Sequence, residues 1–222
     1  MTKTMTDNAN NSKTKGRVRR SAPQARGQAR REQLIEAAIA LLEQREITEI
    51  SLSDIAAHAG IPVGSSYHFF PNVTAIYSAV MIQYSYEIAD FAMAVEGIKE
   101  GEQWVVLIES ICDRIVEFYE THRAYEQIRL SGKTSADIKY NRQRKSGSEV
   151  APMMVELIEK YFVLPEIPNR DRVTQNFLHI IDALYSYTFM EFGCINEQGS
   201  TEAKRAGIAY LKLYFPEYLP VR

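Results

Sequence analysis

Cysteine is nearly absent: Cys112 and Cys194 are the two thiols in 222 residues, and no Cys-x-x-Cys spacing links them. That excludes a disulfide framework and a thiolate zinc finger, and reads as reduced thiols in a cytoplasmic protein. Histidine is also sparse. His58, His68, His122 and His179 have no metal-ligand spacing, and no Gly-x-Ser-x-Gly elbow or paired-carboxylate signature accompanies them. The chain is therefore read as a non-enzyme with no cofactor and no metal. No apolar run approaches the ~18–20 residues that cross a bilayer. The polar, basic N-terminus lacks the apolar segment of a secretory signal. Strand-type alternation and internal repeats are missing as well, which leaves helices.

What is present is a helix-turn-helix pattern at residues 51–70, SLSDIAAHAGIPVGSSYHFF. Ser51 and Asp54 have capping-box spacing, and Leu52, Ile55 and Ala56 form one apolar face. Gly60 falls where a helix must end in a sharp turn, and Pro62 falls where proline favours a new first turn. Two helices joined this closely form the supersecondary unit that reads DNA. In the second helix the small residues Gly64, Ser65 and Ser66 would allow close approach to a duplex, and Tyr67 and His68 carry polar tips suited to phosphate oxygens. Asn72 is the N-cap expected for the next helix. Ser51 and Ser53 are expected to contact phosphates, and Pro62, Val63, Ser65 and Ser66 to face base edges.

Residues 48–80 resemble the DNA-binding segment of the TetR family of bacterial transcriptional regulators. Ser51, Ile55, Ala56, Ala59, Gly60, Gly64, Tyr67, Phe70 and Ile76 carry the match. The preceding helix fits too, with Leu34, Ile35, Ala38, Leu41 and Leu42 on one stripe, so the likeness extends over residues ~30–80. The family usually has a lysine just after the recognition helix, and here that position is Val73.

Other basic residues offer a substitute. Between Asn8 and Arg31 there is no acidic residue, and Arg17, Arg19, Arg20, Arg26 and Arg30 stand in this stretch. Residues 1–76 carry a net +3 and the remainder −5, so a chain of net charge −2 has a basic end suited to DNA. The expected organisation is a disordered basic arm at 1–25, a helix-turn-helix domain at 26–76 and a helical domain at 77–222.

The rest reads as helix after helix. Helices are expected at ~73–97, ~102–120 and ~149–163, with a polar, mobile stretch at 130–149 and a helix capped by Asn169. The fold class expected is all-α, with about nine helices. It comprises an N-terminal three-helix DNA-binding domain and a C-terminal ligand-binding and dimerisation domain. TetR resemblance implies a homodimer formed by the last two helices. Val173, Phe177, Ile181, Leu184, Ala203, Ala206, Gly207, Tyr210, Leu213 and Tyr214 are the candidate contacts. It also implies a pocket for a small hydrophobic effector. The candidates there are Trp104, Ile108, Phe118, Tyr119, Tyr125, Phe177, Tyr185, Phe189 and Met190. Asp113, Asp182 and Glu191 could orient a cationic or hydrogen-bonding ligand, and Arg114, Arg123 and Arg129 an anionic one. The function this implies is a repressor that leaves a palindromic operator on double-stranded DNA when the effector binds, with no membrane partner. An activator of the same fold, or a DNA-binding protein acting through a protein partner as in nucleoid occlusion, is the alternative.

Overall fold

Apolar residues at helical spacing account for the elements of the computed structural model, which describes residues 22–99, 101–131 and 150–222. They form α1 (Ala22–Leu42), α2 (Leu52–His58), α3 (Val63–Ser66), α4 (Val73–Met93), α5 (Trp104–Thr121), α6 (Arg123–Leu130), α7 (Ala151–Tyr161), α8 (Arg170–Phe192) and α9 (Glu197–Leu211). A short 3-10 turn, Ile47–Glu49, joins α1 to α2. The one extended contact among the described residues is an isolated antiparallel bridge, Phe162 to Val221. The fold is all-α, as the periodicity predicts. None of these helices is long and apolar enough to cross a membrane.

Helix α1 begins at Ala22, so residues 22–25, expected to belong to an unstructured arm, form its first turn. Its stripe of Leu34, Ala38 and Leu42 is fully buried against α2 and α4. Helix α4 runs unbroken through the boundary expected at 76/77, so one rigid element belongs to both halves of the molecule. It stops at Met93 rather than ~97, with Gly97 and Gly101 both at positive φ in the connection that follows. The polar stretch expected to be mobile lies, from residue 132 to 149, outside the described residues. Asn169 precedes α8 in the left-handed conformation (φ 53°) and its side chain makes no cap bond. Its carbonyl instead accepts the N–H groups of Arg172 and Val173.

Helices α8 and α9 form the most extensive helix pair. Phe177, Ile181 and Gly207, expected between two copies of the chain, meet in the seam between these two helices of a single chain, and Val173 and Ala203 are buried within the chain as well. Gly207 explains the closeness. A Cβ there would lie 2.6 Å from Phe177 Cε2 and 2.9 Å from Ile181 Cγ2. The small residues thus serve intramolecular packing, where an added methyl forces neighbours off their rotamers. Leu184, Ala206 and Tyr210 are half-buried, whereas Leu213 and Tyr214 are exposed. The segment after α9 returns across the body, with Trp104 Nε1 donating to Pro216 O at 2.9 Å and Val163 N to Pro220 O at 2.7 Å.

Candidate DNA interface and effector cavity

The reading head is built by local bonds that its sequence specifies. Asp54 N–H donates to Ser51 Oγ at 3.2 Å, while Ser51 N–H and Oγ–H donate to Asp54 Oδ2 at 2.8 and 2.6 Å. The hydroxyl of Ser51, expected on a phosphate, is therefore engaged in the helix cap. These bonds, first that from the Ser51 side chain, hold the Asp54 carboxyl below its ordinary value. Helix α2 ends in a Schellman turn. Ile61 N–H donates to Ala56 O at 2.9 Å and Gly60 N–H to Ala57 O at 3.1 Å, with Gly60 at φ 65°. Pro62 then opens α3, its carbonyl accepting from Ser65 N and Ser66 N at 2.8 and 3.2 Å.

Pro62, Val63, Gly64, Tyr67 and His68 are exposed along α3 and its C-terminal turn, with Ser53 exposed on α2 and Ser65 half-buried. Ser66 is a correction. It is fully buried, and its hydroxyl donates to Val63 O at 2.7 Å instead of facing outward. Gly64 has no protein atom within 4 Å of the position a Cβ would take, so no packing inside the chain requires glycine there. Asn72 Oδ1 caps α4 by accepting from Ala75 N at 2.9 Å, a contact worth about 1 kcal/mol. Val73 packs against the core, so the place of the family's lysine is taken by a structural side chain. Arg26 and Arg30 lie exposed on α1, and the Arg31 guanidinium lies 4.9 Å from the centre of the Phe70 ring. Arg17, Arg19 and Arg20 lie outside the described residues.

Between α4, α5, α6 and α8 is a cavity of ≈ 70 Å³ that is partly open to solvent. Tyr119, Tyr125 and Tyr185, three of the candidate effector contacts, line it, and Ile115, Leu178 and Ile181 add aliphatic surface. Six candidates are core or surface instead. Trp104 stacks edge-on against Phe215 at 5.0 Å; Ile108 is fully buried away from the cavity; Phe118 stacks on His122 at 4.0 Å. Phe177 fills the space beside Gly207, and Met190 is 58% exposed. Phe189 is partly buried against the core and does not line the cavity either. Unforeseen in the sequence reading was the α4 wall of Ser85, Ile88, Ala89, Ala92 and Met93. Ala89 and Ala92 are the available signal, since short side chains among larger ones leave space.

The charges expected to meet a ligand are mostly answered within the chain. Arg129 Nη2 lies 3.0 Å from Asp182 Oδ1 at the cavity wall, and Arg129 Nε donates to Tyr119 OH at 3.0 Å. Arg123 pairs with Glu46 at 2.9 Å, Asp113 with Lys204, and Arg114 Nε donates to Phe91 O at 2.7 Å. Glu191 is exposed. Burial opposes ionisation of Arg129, but Asp182 together with Tyr119 and Tyr125 more than offsets it and keeps the guanidinium charged. Among the described residues no group of three or more His, Cys, Asp or Glu could hold a metal ion.

Helix α6 carries both the cavity and the support of the reading head. Tyr125 and Arg129 face the cavity. Between them in sequence, Gln127 is 2% exposed and reaches the end of α1. Gln127 Nε2 donates to Leu42 O at 2.6 Å and to Arg45 O at 2.9 Å, while its Oε1 accepts from Ile47 N at 2.8 Å. One turn earlier, Ala124 N donates to Glu43 Oε1 at 2.9 Å. Burial pushes the Glu126 carboxyl up to about 7, with Glu120 and Glu43 adding to the rise and Arg123 opposing it. A carboxyl raised in the folded state binds its proton more tightly than in the unfolded chain. Stability is then greatest below the ordinary glutamate range and declines as pH rises through about 7. Glu126→Gln is accordingly expected to stabilise the protein at pH ~8 and to change little at pH ~4, as read by urea denaturation at both values.

A helix-turn-helix head is joined by a shared helix, α4, to a helical body that holds a cavity. Residues 34–80 match the model for bacterial regulatory proteins of the tetR family, so this segment is a TetR-type DNA-binding domain. No curated protein sequence matches the chain. Solved structures match nearly its full length. A TetR-family transcriptional regulator from Streptomyces coelicolor is 18% identical, with TM-score 0.62, covering 84% of this chain and 99% of its own. The Thermus thermophilus repressor FadR, in complex with lauroyl-CoA, is 15% identical, with TM-score 0.59 and coverage of 82% and 93%. RolR, in complex with resorcinol, is 15% identical, with TM-score 0.60 and coverage of 84% and 89%. The chain thus has the fold of TetR-family transcriptional regulators.

Proposed function

We propose that this chain is a homodimeric transcriptional repressor whose hold on a palindromic operator is released when a small, largely apolar ligand enters the cavity between α4 and α8. The observation that carries the reading is the placement of Tyr125 and Arg129 at the cavity on the same two-turn helix whose Gln127 secures the end of α1. A ligand that favours another position of α6 acts on the orientation of the reading head, to the extent of its differential affinity for the two arrangements.

The exposed face of α3 presents Pro62, Val63, Gly64 and the half-buried Ser65 toward base edges, with Ser53, Tyr67, His68 and Asn72 on phosphates. Arg26, Arg30 and the basic residues Arg17, Arg19 and Arg20 ahead of them supply charge in place of the missing lysine. The surface for a second copy is the outer strip of α8 and α9: Ile180, Leu184 and Tyr187 with Ala206, Tyr210, Leu213 and Tyr214. Tyr187 and Leu213 are 61% and 76% exposed, apolar area that a second copy would cover. Two heads on a two-fold axis read a palindrome with half-sites about one turn, ~34 Å, apart.

The test selects a duplex from a random pool with the full chain, then measures mass by sedimentation and binding by gel shift. A dimer on a palindrome, released by a cavity ligand, is expected. A monomer in sedimentation, or selection of sites with no two-fold symmetry, overturns the dimeric reading. Loss of operator-dependent repression in a reporter strain on adding ligand distinguishes repressor from activator.

A further inference from the structure

Between Ala59 and Pro71 the sequence has no Arg, Lys, Asn, Gln, Asp or Glu. The side chains that make paired hydrogen bonds to guanine or adenine are therefore missing from α3 and from both its flanks. Ser66 adds nothing outward, since it is fully buried and its hydroxyl donates to Val63 O. What α3 turns outward at its start is apolar: Pro62 is exposed and Val63 is 37% exposed. Both are held stiffly. The ring of Pro62 fixes φ at −55°, and its carbonyl accepts the N–H groups of Ser65 and Ser66. Val63 is branched at Cβ, which restricts its rotamers, and its carbonyl is tied down by the Ser66 hydroxyl. Beside it Gly64 leaves open space, with no protein atom within 4 Å of a Cβ position, so nothing there holds the valine off an approaching surface.

We infer that Pro62 and Val63 read thymine: their carbon surfaces meet C5-methyl groups in the major groove, so each half of the operator carries A·T pairs at these contacts. This rests on the reading of α3 as the face turned toward base edges and adds which bases that face accepts. Thymine alone among the four bases presents an apolar group in the major groove. A G·C pair at the same place sets guanine O6 and N7 and the cytosine amino group against carbon, where they lose water and gain no bond. Ser65 does not restore discrimination, because a hydroxyl both donates and accepts and so suits either pair. Tyr67 and His68 follow the end of α3 and serve the phosphates in the same reading.

The experiment takes the duplex selected with the full chain and replaces its thymines one at a time by uracil, which pairs alike and lacks only the methyl. Gel-shift titration is expected to show a loss of about fourfold for each contacted methyl, at one or two positions in each half-site, and none elsewhere. Val63→Ala should weaken the thymine duplex by a similar factor and, at one of those positions, bind thymine and uracil alike. Uracil tolerated at every position overturns the inference, as does a uracil loss that persists undiminished at every position in Val63→Ala. Gly64→Asp separates that failure from a failure of the reading beneath it. If Gly64→Asp loses the duplex while uracil is tolerated, α3 meets DNA but does not read thymine. If Gly64→Asp keeps full affinity, or no duplex is selected, the DNA-facing reading of α3 falls and the inference with it. Circular-dichroism melting checks that Val63→Ala is folded, and Val63→Thr, of the same shape with a hydroxyl for one methyl, decides the matter if it is not.

Discussion

Gly64→Asp is expected to abolish operator binding, by roughly a hundredfold or more, while leaving the fold and the dimer intact. The position is exposed on α3, and a Cβ there meets no protein atom within 4 Å. Its φ is helical, so a side chain brings no backbone strain, and replacing glycine in a helix is mildly favourable. Melting should stay within about 2 °C, as for a surface change away from packed features. A carboxylate at the closest approach to a duplex, in contrast, stands against phosphates and fills the space that the missing side chain leaves. Gel-shift titration against the selected duplex, beside a melting curve, checks both halves. Retained affinity would show that α3 does not approach DNA by this face.

Gln127→Ala is expected to cost about 3 kcal/mol, since it leaves two buried backbone groups and a half-buried one after α1 without their partner. For a chain of this length that lowers the melting temperature by roughly 6–12 °C. Gln127→Glu should do no better at neutral pH. A carboxylate accepts the Ile47 N–H but cannot donate to the carbonyl oxygens of Leu42 and Arg45, which it would instead repel. Partial recovery of stability in mild acid, where a protonated carboxyl donates once, would identify the missing donor as the cause. Calorimetric melting checks the magnitude. Under the proposed function the same variant should also weaken ligand-dependent release from DNA, because only the Ala124–Glu43 and Arg123–Glu46 contacts then tie α6 to the end of α1.

Much of the head is legible in its sequence because its determinants are local. Ser51, Asp54 and Gly60 fix the ends of α2 through bonds spanning three to five residues, and the structure forms each of them. The direction of Ser66 is not legible. On a helix of one turn the sequence gives no phase, and a serine that bonds the carbonyl three residues back satisfies itself and can be buried. The cavity is hidden for a different reason. Tyr119, Tyr125 and Tyr185 belong to the same residue class as Trp104, Phe118 and Phe177, and what separates wall from core is the room left by Ala89 and Ala92 on another helix. Arg129 and Asp182 each read as a site for a charged ligand, and only tertiary packing makes them each other's partner. Gly207 likewise reads as a place for close approach without saying which helix approaches. In the folded chain it is α8 of the same molecule.

The position of α6 as a wall common to two compartments separates two properties that are easily treated as one. A compound that fills the space beside Tyr125 and leaves Gln127 on the end of α1 adds its binding energy to the folded state and does nothing at the promoter. It is a silent occupant, competing with inducers while raising the melting temperature as they do. Thermal-shift screening therefore ranks compounds by residence in the cavity, and sorting agonist from antagonist requires DNA in the assay.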